Sequence, residues 1–354
     1  MHADRPADSP RGSRGRVRLP GGNAPAPTQP EGIQLPVPLA LLLALIAGSG
    51  LALQSRLNSQ LGIELQDSVG AALVSFGTGL AAVVLFAFVR PKLRAKLRAV
   101  PGLLRRRVYP RWYLLAGVVG ALYVFAQAAT VGPIGLSLFT IAIVTGQMAS
   151  GLLMDRLGIG AGRKIAVSGA RITGAVLAFL AAVLAASAHF GSSKAVGPLV
   201  LFMLIPLLSG LLQSVQQGVL GQIGTAHGSP VISTLLNFGV GTVALLAVWV
   251  VQAAIIGQAD LLTGQWWLYL GGPLGTMILA AATICVASTG VLLMTLTVIG
   301  GQLVGALAVD IFWPSAGSVV GPETLLGIGL TGAGLLIAAR AGQPRRVGRP
   351  RSAG

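Results

Sequence analysis

Two pairs of side-chain amides interrupt apolar stretches of this sequence at the same spacing. Gln54 and Asn58 are four residues apart, and Gln213 and Gln217 repeat that spacing further along the chain. Residues four apart lie on one face of an α-helix, so each pair would form a polar patch on an apolar helix. Buried amides need hydrogen-bonding partners. The two patches therefore either line a path for a polar solute or bond neighbouring helices together.

Three charged side chains occur in similarly apolar surroundings. Arg56 lies between the first two amides, where it could attract an anionic solute, reach water along its own stem, or pair with Glu64 or Asp67. Asp155 and Asp310 each end an apolar run. A carboxylate at the carboxyl end of a helix opposes the helix dipole. Each of these two is interpreted either as a gating or proton-coupling group or as a boundary residue in water.

A Gly-Gln pair precedes each of these carboxylates at the same distance, in TGQMASGLLMD and GGQLVGALAVD. The pairs are Gly146-Gln147 and Gly301-Gln302. Glycine lets a second helix approach closely, and a neighbouring glutamine can then reach across the contact. The pattern favours helix packing at an interface over direct contact with a solute.

The elements that carry these residues are strongly apolar. The chain has 354 residues, a mean hydropathy of +0.80 and only 10% charged residues. No Asp, Glu, Lys or Arg occurs in Trp112–Met154, Ala195–Ala259 or Leu261–Val309. A membrane-spanning helix needs about 20 apolar residues. The composition therefore predicts an all-α integral membrane protein of the cytoplasmic membrane, with the lipid bilayer as its surroundings.

Ten spanning helices fit these runs, with a break near Ala287 inferred from length alone. The predicted spans are 37–58, 68–89, 111–131, 134–154, 165–188, 197–221, 229–256, 266–286, 288–309 and 322–340. The Pro-rich and Arg-rich segment 1–36 and the basic segment 341–354 are predicted to be disordered cytoplasmic tails.

The net charge of +16 reflects membrane topology rather than binding to nucleic acid. With both termini in the cytoplasm, all 25 Lys and Arg except Arg56 and Lys194 fall on the cytoplasmic side of the predicted spans. This distribution follows the positive-inside rule.

The chain contains an internal repeat in which three more segments match in order. They are QSRLNSQLG with QSVQQGVLG, SFGTG with NFGVG, and WYLLAGVVG with WLYLGGPLG. These matches predict two homologous halves of five helices each, residues 37–190 and 195–340. Five is odd, so the second half must be inverted, and its loops at 257–265 and 310–321 lack the Lys and Arg of their counterparts. Inverted repeats are typical of secondary transporters. Gln127 has no counterpart in the other half and is a weaker candidate.

These elements resemble the drug/metabolite transporter superfamily, and within it the YdcZ-like family of inner-membrane exporters, with two units fused. The resemblance rests on Gln54 and Asn58, Leu61-Gly62, Phe76-Gly77-x-Gly79, Gly117 with Gly120, Gly132-Pro133-x-Gly135, and Gly146-Gln147 with Asp155. It implies that the helices bearing the Gly-Gln pairs pack where the halves meet. It also favours export over import. The second unit departs from the pattern, with Ser288 in place of Pro133 and Val215 in place of Arg56.

The sequence thus predicts a carrier that moves a small solute by alternating access, as a monomer or a homodimer. Two rival hypotheses are a non-transporting membrane scaffold, and a channel or lipid scramblase. No enzymatic signature and no cofactor are predicted, because GIGLTG at 327–332 lies inside an apolar span. A single cysteine, Cys285, excludes an intramolecular disulfide and a cysteine-based metal cluster.

Overall fold

The computed structural model describes residues 35–106, 108–157, 168–188, 196–257 and 260–340. Ten α-helices run through these residues: α1 Val37–Glu64, α2 Ser68–Val89, α3 Pro91–Arg105, α4 Ala116–Ile134, α5 Leu136–Leu157, α6 Gly169–Ser187, α7 Val196–Ala226, α8 Pro230–Ile256, α9 Gly271–Phe312 and α10 Pro322–Arg340. Short 3₁₀ turns, Arg111–Leu115 and Trp266–Leu270, precede α4 and α9. The predicted tails, apart from residues 35 and 36, and the predicted boundary near 190–195 lie outside the described residues.

Eight helical segments of the described residues are long and apolar enough to cross a membrane. The outer surface of the bundle is apolar, since Leu85, Phe88, Val243 and Ile255 are each at least 60% exposed. Such a surface is suited to lipid rather than water. The prediction of an all-helical membrane protein is confirmed, whereas the count of ten spans stays a prediction.

Helix α3 was not predicted, and it is not one of the spans. It begins with Pro91, whose fixed φ angle suits the first turn of a helix. Four cations follow at every second position from Lys92 to Arg98, which is too much charge for the hydrocarbon layer. The helices α1 and α7 also extend further than predicted, to Glu64 and Ala226.

The sequence predicted that the helix is interrupted near Ala287, and this is wrong, because α9 is one continuous helix from Gly271 to Phe312. The corresponding break in the first half, between α4 and α5, depends on Pro133 and on Gly135 with a φ of 82°. Ser288 replaces that proline, so nothing removes a backbone hydrogen bond at the matching point of α9.

Helix α9 nevertheless cannot be straight. The side chain of Ile278 lies against Gly50 of α1, and the backbone carbonyl of Val298 lies against Gly48 of the same helix. A straight helix advances about 1.5 Å per residue, which would separate these two residues by about 30 Å. The chain therefore bends back between a first arm, Gly271–Ile278, and a second arm, Val298–Phe312. The first arm runs antiparallel to α1 and the second runs parallel to it.

The helices pack across the boundary between the two predicted halves. α1 packs along both arms of α9, and α7 packs along α4 and α5. α2 packs against α8, and α6 against α10. The interior is filled by apolar side chains that are almost fully buried, such as Phe76, Phe139 and Ile143.

Candidate functional site

A buried carboxylate closes one end of the bundle. Asp310, near the end of α9, accepts hydrogen bonds from the backbone N–H groups of Leu136 at 3.0 Å and Ser137 at 2.6 Å. The Ser318 hydroxyl donates a third hydrogen bond to it at 2.6 Å. The first N–H groups of a helix lack partners within that helix, so Asp310 caps the amino-terminus of α5. The part of the bundle around this residue is the Asp310 end.

Arg56 lies at the same end and is 4% exposed. Its Nε donates to the carbonyl of Trp313, and its Nη2 donates to the carbonyl of Pro314, each at 3.1 Å. Its guanidinium also lies over the Trp313 ring. These partners, and not Glu64 or Asp67, hold the side chain in the described part of the chain. Arg56 thereby fixes the segment after α9 against α1.

Backbone contacts complete the closure of the Asp310 end. The N–H of Gly317 donates to the carbonyl of Gly132 at 2.8 Å, and the Ser315 hydroxyl donates to the carbonyl of Val131 at 3.1 Å. Gly135 has a φ of 82°, and a Cβ there would press on the backbone of the segment after α9. A glycine is therefore required at this turn for two reasons, its conformation and the close approach.

A second carboxylate, Asp67, joins α2 to α8 at this end. It accepts a hydrogen bond from the Val69 N–H at 2.9 Å, which caps α2. It also accepts from Trp249 Nε1 at 3.1 Å and from Gln252 Nε2 at 2.9 Å. Sequence reasoning considered Asp67 only as a partner for Arg56. The signal that could have found this site is the presence of two hydrogen-bond donors, Trp249 and Gln252, three residues apart near the end of the apolar helix α8.

A buried pair of neutral side chains lies at the opposite end of the bundle. The Tyr109 hydroxyl and the His227 Nε2 share a hydrogen bond of 2.9 Å. Burial raises the pKa of Tyr109 and lowers the pKa of His227, so both side chains favour their neutral forms. Lys96 of α3 donates to the carbonyl of Gly228 in the same turn. The part of the bundle around these residues is the His227 end.

A cavity of about 930 Å³ extends from the middle of the bundle to the His227 end. It starts beside Tyr123 and reaches Thr225, Gly228 and Pro230, which are exposed. Within the described residues, α9 makes no extensive contact with α7 or α8, and the cavity occupies that space. The bundle is therefore closed at the Asp310 end and open at the His227 end.

Several polar side chains of the first half bond to one another or pack away from this cavity. Asn58 Nδ2 donates to Gln127 Oε1 at 2.6 Å, and Gln127 Nε2 donates to Ser55 Oγ at 2.9 Å. Gln54 is 6% exposed and packs against Gly275 of α9. None of these four polar side chains is among the described residues of the cavity wall. They hold α1 to α4 and α9.

The amides of the second half face the cavity instead. Gln213 and Gln217 of α7 line it, together with Gln147 of α5 and Gln302 of α9. Gln147 Nε2 donates to Gln213 Oε1, and the Ser214 hydroxyl donates to the carbonyl of Gln147 at 3.1 Å. Three helices from both predicted halves therefore bring their amides to one wall.

Tyr123 lies between the two groups of amides, and sequence reasoning did not single it out. Its hydroxyl is close enough to interact with Gln127 of the first group and with Gln213 and Gln302 of the second. It also lines the inner part of the cavity. The aligned residue of the second half is Ile278. An alignment of the halves could therefore have marked this tyrosine as an unmatched polar group in an apolar span.

The two Gly-Gln glycines lie where helices from different halves touch. A Cβ on Gly146 would overlap the carbonyl of Leu207 on α7, and a Cβ on Gly301 would overlap the carbonyl of Leu45 on α1. These are the close approaches that glycine permits between helices. The glutamines that follow them also line the cavity, so packing and solute contact are compatible at these positions.

Two regions of the chain, residues 39–184 and 201–337, match one family model, described as "Putative inner membrane exporter, YdcZ". The chain belongs to the YdcZ family. The resemblance predicted from the repeated motifs is therefore confirmed. The double match corresponds to two fused units within this YdcZ family member.

A solved structure described only as "Crystal structure of protein" has a similar fold, with a TM-score of 0.54. The similarity covers 86% of this YdcZ chain and 98% of that chain at 16% identity, so it concerns the fold alone. No curated protein matches the chain.

The structure separates the polar and charged members of the predicted site of this YdcZ family member into three groups. Those in the cavity wall are Gln147, Gln213, Gln217 and Gln302. Those buried elsewhere in the bundle are Gln54, Arg56, Asn58 and Asp310. The side chain of Asp155 lies outside the part of the chain that the structure describes. Among the described residues, no three His, Cys, Asp or Glu side chains converge as a metal site would require.

Proposed function

We propose that this YdcZ family member is a secondary transporter, whose two inverted five-helix halves carry a small solute across the membrane by alternating access. The observation that carries the proposal is the cavity, whose described lining runs from Tyr123 in the middle of the bundle to exposed residues at the His227 end. A carrier needs a binding site that one side of the membrane can reach while the other side is sealed. An open channel does not fit a bundle that is closed at the Asp310 end.

The helix contacts support the inverted arrangement. α1 packs against both arms of α9, just as α7 packs against α4 and α5. The two arms of α9 are the predicted counterparts of α4 and α5. Each half therefore inserts its first helix into the other half in the same way. Counting the arms separately gives the ten spans of the repeat.

The basic residues support one orientation. Lys96 of the basic helix α3 contacts Gly228 at the His227 end. The positive-inside rule then assigns this end, and both termini, to the cytoplasm. A cavity that opens to the cytoplasm is the state in which an exporter takes up its solute. The family description also supports export.

The proposed roles follow from these positions. The amides of Gln213 and Gln217 form a polar wall of the solute path. Asp310 and Arg56 keep the outer end shut while the cavity is loaded. Gly146 and Gly301 allow the crossings of helices about which the halves can tilt.

Accessibility of a cysteine in the cavity tests the proposal without knowledge of the solute. Gln217 lines the cavity and is exposed, so Gln217→Cys would be made in a Cys285→Ser background. A membrane-impermeant maleimide should label it rapidly from the cytoplasmic side, and slowly from the opposite side after the bundle rearranges. Thr225→Cys and Asp260→Cys serve as controls, each reactive from one side only.

The rates separate the proposal from its rivals. Slow labelling from the outer side that falls steeply on cooling supports alternating access, since the rearrangement limits it. Labelling from the cytoplasmic side alone, under all conditions, would identify a static scaffold. Fast labelling from both sides at once would identify a channel.

A further inference from the structure

The cavity wall combines a large apolar surface with a few neutral hydrogen-bonding groups. Its polar side chains in the described residues include the amides of Gln147, Gln213, Gln217 and Gln302 and the hydroxyl of Tyr123. Leucines, isoleucines, methionines and glycines make up much of the rest. Such a wall suits a solute that has an apolar body and a small polar head.

One of these amides has a hydrogen-bond donor left over. Gln302 is 3% exposed, and its Nε2 makes no hydrogen bond of acceptable geometry within the described residues, although the Tyr123 hydroxyl lies nearby. Buried polar atoms almost always have a partner, so an orphaned donor beside a cavity requires an explanation. In the first half, by contrast, Gln127 Nε2 is satisfied by Ser55. An acceptor on a bound solute would satisfy Gln302 in the same way.

The described part of the wall offers a cation no counter-charge. No Asp or Glu belongs to the described residues that line the cavity, and the carboxylates of Asp67 and Asp310 are occupied at the other end. A cation that left water for this site would lose its hydration without gaining a counter-charge. The binding of cationic drugs therefore does not fit the site.

The inner part of the cavity does not favour an anion either. Arg171 is the one described cation in the wall, and it lies in the first turn of α6, away from Tyr123 and Gln302 in the middle of the bundle. Arg171 already has an interaction of its own. The groups deep in the cavity are neutral, and neutral amides give a full charge little compensation in an apolar site.

We infer that the cavity binds an uncharged amphipathic solute whose polar head accepts a hydrogen bond from Gln302 Nε2, with its apolar part against α7 and α9. This inference rests on the proposed function, because it names the solute class of the same cavity. The head lies near Tyr123, and the body points to the His227 end.

A matched series of three small molecules on one scaffold tests the inference. The probes are compared at about pH 6, which lies well below the pKa of an α-amino group. They are N-acetyl-phenylalanine methylamide, which is uncharged, N-acetyl-phenylalanine, which is an anion, and phenylalanine methylamide, which is a cation at this pH. Binding to the purified full-length protein would be measured by thermal stabilisation. The uncharged probe should bind at least about tenfold more tightly than either charged one. Equal or tighter binding of a charged probe, or no binding by any of the three, overturns the inference.

Two variants that add a carboxylate sharpen this test. Gln302→Glu and Gln217→Glu place a negative charge in the cavity wall, and the exposed Gln217 tolerates the change even if the buried Gln302 does not. Either variant should shift the preference about tenfold towards the cation. Gln222→Glu is the matched control on α7, since Gln222 is not part of the wall and its Oε1 accepts from Tyr113 at 2.7 Å. A preference that stays with the uncharged probe in both cavity variants contradicts the inference.

The failure of this inference and the failure of the transport proposal have different signatures. Tight binding of the uncharged probe with no flux in proteoliposomes keeps the site and overturns transport. Flux of the cation with no flux of the uncharged probe keeps transport and overturns the solute class.

Discussion

The two ends of the bundle treat buried polar groups in opposite ways. At the Asp310 end, the charged side chains of Asp310, Asp67 and Arg56 are each bonded to several groups, and about half of these groups are backbone atoms. At the His227 end, neutral side chains such as His227 and the amides of the cavity make few, pairwise bonds. The first arrangement closes the bundle, and the second leaves it open.

This difference between the two ends indicates where a rearrangement of the helices would cost the most free energy. A buried charge that loses its partners destabilises the protein far more than a neutral amide that exchanges one partner for another. Amide hydrogen bonds between membrane helices contribute roughly 0.6 kcal/mol on average. We therefore expect a rearrangement to cost more free energy at the Asp310 end than at the cavity, where the amides can exchange partners.

Loss of the Asp310 carboxylate is expected to have the largest effect. Asp310→Ala leaves the N–H groups of Leu136 and Ser137 without acceptors at the start of α5. The free energy of unfolding should fall by about 3 kcal/mol, which thermal unfolding in detergent would measure. Asp260→Ala, at an exposed position of the loop before α9, is the control. Equal stability of the two variants would contradict the role of Asp310 as a cap.

The crossing of α1 and α9 connects the two ends and is expected to be the next most sensitive point. Gly301→Ala forces a methyl group into the backbone of Leu45, whereas the neighbouring Gly300 has open space around it. Gly301→Ala should therefore destabilise the protein by about 2 kcal/mol, and Gly300→Ala should not. Thermal unfolding of this adjacent pair is the measurement. A similar loss in both variants would show that the crossing is not tight at Gly301.

The helices could be predicted because each apolar run is long enough to be counted and the charges lie at its edges. The bend of α9 illustrates the limit of this reasoning. Length alone indicated a reversal near Ala287, and the contacts of Ile278 and Val298 show that the chain does reverse. Continuous helical hydrogen bonding through the bend could not be predicted, because it depends on tertiary packing rather than on a local proline or glycine.

The candidate site shows a second limit. The repeat makes Gln54 and Asn58 equivalent to Gln213 and Gln217, so the sequence predicted two similar polar walls. In the structure, Asn58 donates to Gln127 and lies away from the cavity, whereas Gln213 and Gln217 line it. The position aligned with Gln127 in the second half is Ala282, so an unmatched residue distinguishes the surroundings of the two pairs.

A change at Arg56 tests how far the closed end depends on geometry rather than charge. Arg56→Lys keeps the positive charge, but an ammonium cannot reproduce the fork that bonds the carbonyls of Trp313 and Pro314. The free energy of unfolding should fall by about 1 kcal/mol. A cysteine placed at Ser315 should also become more reactive from the outer side. No change in either measurement would mean that the charge alone holds the segment after α9.

The smallest expected effect concerns pH at the His227 end. Burial holds the pKa of His227 in the folded protein below its usual value near 6.5. At a pH between the lowered pKa of the folded protein and the pKa of the unfolded chain, the folded protein therefore binds fewer protons than the unfolded chain. Stability contributed by neutral His227 is therefore present above about pH 6.5 and lost as the pH falls below it. The contribution of His227 should lower the midpoint of thermal unfolding at pH 5.5, relative to pH 7.5, by less than about 2 °C.

His227→Gln isolates this contribution, because glutamine can still accept a hydrogen bond from Tyr109 but does not titrate. The variant should lose the part of the pH dependence that comes from His227. If the variant retains the full pH dependence, the neutral contact between Tyr109 and His227 does not contribute to the stability of the open end.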